Sequence, residues 1–169
     1  MPAHNDHNGL GVTMGAVDNP AGTAFALGFI YAQGMFKGGV ITGAQGSNQN
    51  PLIYSKDPSK TQWYLPVTAS LGVRHGLTDN LYGTASVVGN YTFTTNKADS
   101  LTNQWNLGVA IGADYYLTDS LYITGNITPF LYSQFKSLDP NSFSGKQVTT
   151  KMYSIFSSGY LGLTYNFNL

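Results

Sequence analysis

Leu77-Thr78-Asp79-Asn80-Leu81-Tyr82 recurs forty residues later, with one change, as Leu117-Thr118-Asp119-Ser120-Leu121-Tyr122. Each copy separates two long runs in which apolar residues alternate with small or polar ones. A tight turn that repeats with two strands and a loop between its copies belongs to a sheet that runs up and down. The question is which face of that sheet is apolar, and whether that face points outward.

Working outward from the two turns, the alternation has period two over ten or more residues, long for a soluble strand and about what a tilted membrane span requires. Trp63, Leu65, Val67, Ala69, Leu71 and Val73 share one face, and Pro66, Thr68, Ser70, Gly72 and Arg74 the other. After the second turn Leu121, Ile123, Gly125, Ile127, Pro129 and Leu131 form the apolar face. Leu107, Val109 and Ile111 do so before it, and Leu161 and Leu163 in the last strand. Adding weaker patterns toward the N-terminus gives eight strands, at about 9–17, 22–33, 35–43, 61–75, 81–95, 102–117, 120–134 and 149–169. An even number puts both ends on one side. Residues 1–8 read as a flexible tail and 9–169 as one domain. Pro66 and Pro129 each lack a ladder donor and predict bulges or strand ends.

Connections near 33–35, 76–80 and 117–120 are tight, whereas 44–60, 95–101 and 135–149 are longer and polar. Tight turns on one side and longer loops on the other is the arrangement of an outer-membrane barrel. Composition agrees. Charged residues are 9% of the chain, against roughly 25% in ordinary soluble domains. No run approaches the roughly 18 apolar residues of a membrane helix. The formal net charge is zero, which offers no footprint for nucleic acid, and there is no cysteine for disulfide or thiolate chemistry.

Placing the aliphatic face outward explains both faces at once. The opposite face, rich in Gly, Ala, Ser, Thr, Asn and Tyr, is too polar for a lipid-facing wall and too uncharged for a soluble surface. A lipocalin-like barrel would reverse the two. Most charges fall in turns, loops or the tail, Lys151 lies close to a loop, and Lys37, Arg74 and Asp114 stand well within strands. Arg74 and Asp114 occupy equivalent places in the forty-residue repeat, each three residues before its Leu-Thr-Asp turn. They are therefore expected to meet in the lumen as an ion pair joined by Lys37, since buried charges need partners. Aromatic residues close the apolar stripes: Trp63, Tyr91, Phe93, Trp105 and Tyr153 toward the loops, Tyr115, Tyr165 and Phe167 toward the tight turns. Trp105 and Tyr115 are ten residues apart, about 33 Å along a strand and about 25 Å of height at barrel tilt.

The two turns resemble the periplasmic turns of small bacterial outer-membrane barrels of the OmpA, OmpX and opacity type. The final strand, in which Tyr165, Phe167 and Leu169 alternate to the last residue, resembles their assembly signal, with Leu169 where Phe is usual. The resemblance implies an all-β, eight-stranded, antiparallel up-and-down transmembrane barrel in a bacterial outer membrane. It implies a lipid bilayer and lipopolysaccharide as surroundings, and recognition by the barrel assembly machinery. No signal of a basic region followed by an apolar core is present, and the export signal is expected to have been removed.

For function, the sequence predicts a non-enzymatic anchor whose loops 44–60 and 135–149 serve adhesion or interaction with an extracellular ligand. The alternative is a narrow pore for small solutes or ions, controlled by Lys37, Arg74 and Asp114. A lipid-modifying enzyme is disfavoured: His75 has no Ser–acid constellation at a justifiable spacing, and the chain has no Glu. His75 reads as a turn or interface residue. With Met1 removed, His4 would stand third from a free amine, the spacing of a square-planar copper or nickel site. A terminal tail is the simpler reading, and neither metal nor cofactor is expected.

Overall fold

The computed structural model describes residues 7–19, 22–48, 61–94, 102–138 and 147–167. Eight strands cover almost all of these: β1 (Gly9–Asn19), β2 (Gly22–Gln33), β3 (Phe36–Asn48), β4 (Thr61–Gly76), β5 (Leu81–Thr94), β6 (Thr102–Tyr116), β7 (Leu121–Leu138) and β8 (Gln147–Phe167). Each pairs antiparallel with its neighbours in sequence, and β8 returns to β1, so the sheet closes into an up-and-down barrel. Closure leaves the sheet no open edge.

The repeated hexapeptides are one turn built twice. Leu77 and Thr78 both donate backbone N–H to the Leu81 carbonyl, and Leu117 and Thr118 do the same to Leu121. In return the Thr78 hydroxyl accepts from the Leu81 N–H at 3.1 Å, and that of Thr118 from Leu121 at 3.0 Å. This is why Thr and Leu recur at a three-residue spacing. A third tight turn, at Gly34 with φ of 54°, uses the left-handed freedom of glycine.

The barrel is inside-out relative to a soluble protein. Its largest fully buried side chains are Thr13, Thr164 and Asp114, while Leu71 is 71% exposed and Leu161 63%. Leu65, Leu107, Val109, Ile111 and Leu163 also point outward and are exposed, and Val67 is half-buried. Buried hydroxyls satisfy one another: Thr164 donates to Thr13 at 2.8 Å, and Thr13 shares a hydrogen bond with Tyr160. Curvature comes from inward glycines. At Gly72 and Gly112, again forty residues apart, an added Cβ would collide with the carbonyl oxygens of Ala85 and Gly125 on the neighbouring strand.

Three strand ends differ from the sequence pattern. β3 runs to Asn48, β7 to Leu138, and β8 starts at Gln147. Their few apolar residues, such as Phe135 and Leu138, stand an odd number of positions apart and build no single apolar face, so hydrophobic alternation does not mark these extensions, although the ladder continues. Pro129 marks a bulge: the register of β7 shifts against both β6 and β8 around it. The alternation changes phase there, so Phe130 points outward and Leu131, expected on the outward face, is buried. At Pro66 the register of β3 and β4 is kept, and the ladder simply lacks pairs at Gly43 and Ala44.

Candidate functional site

Every charged side chain buried in the described lumen lies at the tight-turn end. Lys37 on β3 extends across the interior to Asp114 on β6 and donates to both carboxylate oxygens at 2.6 Å. It also donates to the Thr124 hydroxyl at 3.3 Å. The Asp114 side chain is only 1% exposed and that of Lys37 15%, so this is a buried pair whose charges depend on each other.

Arg74 on β4 does something else. Its Nε donates to the Gly34 carbonyl at 2.8 Å, Nη1 to the His7 carbonyl at 2.9 Å, and Nη2 to Asn8 Oδ1 at 2.9 Å. Nη1 also reaches the Tyr116 hydroxyl at 3.4 Å, and the guanidinium lies 5.2 Å from the Tyr82 ring. Among the described residues no carboxylate stands within ion-pair distance of it. The expected Arg74–Asp114 pair is therefore corrected to Lys37–Asp114. Both cations share the same end of the lumen, but the long lysine stem brings a compact ammonium onto the carboxylate, while carbonyl groups occupy the planar arginine fork.

Rings complete the floor. His7 stacks on Tyr116 with centroids 3.8 Å apart, Tyr116 stacks on Tyr122 at 4.6 Å, and Tyr82 meets Tyr116 edge-on at 5.5 Å. His7 and Asn8, assigned by sequence to the tail, are thus held inside the barrel mouth. Asn8 Oδ1 also accepts from the Gly34 N–H at 2.7 Å. The sequence reading missed them because a two-residue crossing has no periodicity. Tyr82 and Tyr122 carried a usable signal, since they hold equivalent places in the repeat.

The loop half of the lumen is different. A chain of amides and hydroxyls runs along its wall: Gln104 donates to Asn106, Asn106 to Asn90, and Asn90 to Thr68, at 3.0, 3.2 and 2.7 Å. Below and beside it lies a cavity of about 100 Å³, lined by such residues as Ser70, Asn126, Thr128 and Leu131 and reaching down to Lys37.

Of the other residues singled out by sequence, Phe93, Trp105, Tyr115, Tyr153, Tyr165 and Phe167 are exposed on the outer wall, and Tyr91 is half-buried against Phe93 at 4.7 Å. Tyr132, which the sequence reading passed over, packs between Trp105 and Tyr153 at 5.3 and 5.2 Å. Trp63 belongs to β4, but its side chain, like Leu169 and most of both long loops, lies outside the described residues. His75 points outward near the tight turns. Among the described residues no group of three His, Asp or Glu could hold a metal ion.

No family model matches the chain, and no curated protein matches it in sequence. Solved structures do match. The outer membrane protein OprG from Pseudomonas aeruginosa superposes with a TM-score of 0.59 at 14% identity, covering 96% of this chain and 97% of that one. The fold is that of a small outer-membrane β-barrel. A barrel from the de novo design of transmembrane β-barrels matches at TM-score 0.49 and 14% identity, over 95% of this chain and 96% of that one. Neisserial surface protein A matches at TM-score 0.48 and 16% identity, over 94% of each chain. These two weaker likenesses carry no argument of their own.

Proposed function

We propose that this chain is an integral protein of a bacterial outer membrane that acts as a non-enzymatic anchor. Its outward aliphatic face meets lipid and, on the outer side, lipopolysaccharide. Its final residues, including Tyr165, Phe167 and Leu169, are read by the barrel assembly machinery. The loops at 44–60 and 135–149 carry the adhesive or interacting role.

The observation behind this reading is the floor: Lys37–Asp114, Arg74, His7 and three tyrosine rings fill the tight-turn end of an eight-stranded lumen. An eight-stranded barrel is just wide enough for side chains to fill it. A second reading, a narrow pore for small solutes or ions, is favoured by the cavity that reaches down to Lys37.

Single-channel recording in planar bilayers separates the two. The anchor stays silent, and Asp114→Asn leaves it silent. Steady steps in the unsubstituted chain, altered by Asp114→Asn, would establish the pore instead.

A further inference from the structure

Among the described residues the charges of the floor do not balance. One carboxylate, Asp114, faces two cations, Lys37 and Arg74, and it is bound to Lys37. Arg74 is 3% exposed, and oxygens of neutral groups fill its donors. A buried cation without a counter-charge is expensive, and neutral carbonyls offset only part of that cost.

The geometry of those carbonyls is informative. The His7 carbonyl oxygen sits on Nη1 and Asn8 Oδ1 on Nη2, both at 2.9 Å. Two oxygens on the two terminal nitrogens is how a carboxylate or phosphate engages a guanidinium end-on. Nε is committed separately to Gly34, which fixes the fork in place. The Tyr82 face and the Tyr116 hydroxyl complete the surroundings.

We propose that Arg74, at the tight-turn mouth of the lumen, is a binding site for a small oxyanion, and that the chain's own His7–Asn8 segment covers it by supplying two carbonyl oxygens in the anion's place. When the segment withdraws, Nη1 and Nη2 are freed together and a carboxylate or phosphate group takes both. The site faces the side on which the N-terminus lies, so the anion arrives from there.

Asp6 precedes His7 in sequence, so the test removes that carboxylate as well. The full chain carrying Asp6→Asn, His7→Ala and Asn8→Ala, which lacks the ring stack on Tyr116 and the Asn8 oxygen that hold the segment and its His7 carbonyl in place, is folded in detergent and titrated with inorganic phosphate, followed by phosphorus NMR and calorimetry. Binding is expected to tighten by about tenfold or more over the unsubstituted chain, the scale of one charge-assisted bidentate contact. Adding Arg74→Gln is expected to abolish the gain. Arg74→Lys, which keeps the charge without the fork, is expected to lose most of it and serves where the Gln variant fails to fold. Heat-dependent electrophoretic mobility confirms a folded barrel in each case. No gain on segment substitution overturns the proposal, and so does a gain that either Arg74 variant leaves intact.

Discussion

The two halves of the lumen occupy the same narrow interior in opposite ways. Toward the tight turns the space is filled by ions and rings locked in definite pairs: Lys37 on Asp114, Arg74 on His7 and Asn8, His7 on Tyr116. Toward the loops it is lined by neutral amides and hydroxyls that leave a cavity of about 100 Å³. The lower half is specific and costly to disturb, because each charge there depends on a named partner in a low-dielectric site. The upper half is tolerant, because water can replace a lost side-chain partner. Dense packing is therefore a local property of one layer, and the wall above it only shapes what stands over that layer.

This contrast can be broken most severely at Asp114. Asp114→Ala leaves Lys37 and Arg74 facing each other without a carboxylate and is expected to cost about 3–5 kcal/mol, measured by urea unfolding in lipid vesicles. Joint replacement by Lys37→Met and Asp114→Leu is expected to cost clearly less, because no orphaned charge remains from the pair. On the outer wall, Val109→Arg near mid-strand is expected to cost about 2–4 kcal/mol in a bilayer. The same substitution in a detergent micelle should be milder, and an equal cost in both would argue against a lipid-facing position. Gly112→Ala is expected to cost about 1–3 kcal/mol through collision with the Gly125 carbonyl, read as a lowered urea midpoint. The smallest effect belongs to the upper half: Asn106→Ala is expected to cost about 1 kcal/mol or less. A larger loss there would mean that the amide chain is as binding as the floor.

Much of this was legible in the sequence, for reasons that differ between elements. The repeat located two turns because their Thr hydroxyls and Leu amides must recur at fixed spacing. Period-two alternation located the spans because one face is aliphatic throughout. The same forty-residue offset gives Arg74 and Asp114 equivalent places in the repeat, but it does not give their partners. Partner choice depends on which side chains reach across the lumen, and no pattern along the chain encodes that. Lys37 sat in the weakest strand pattern, interrupted by Gly38 and Gly39. His7 lay outside any pattern at all. The strand extensions at Asn48, Leu138 and Gln147 escaped because the ladder needs only backbone groups there, with no apolar face to announce it.

The slip at Pro129 reaches beyond local geometry. Below it, odd-numbered residues of β7 look outward; above it, even-numbered ones do, as Ile127 and Phe130 illustrate. One surplus residue thus lets the rim obey a parity of its own, independent of the span beneath. Straightening the bulge with every residue kept would rotate everything above it by half a pleat, turning Phe130 and Tyr132 inward and Leu131 outward, while leaving the stretch from Leu121 to Ile127 as it was.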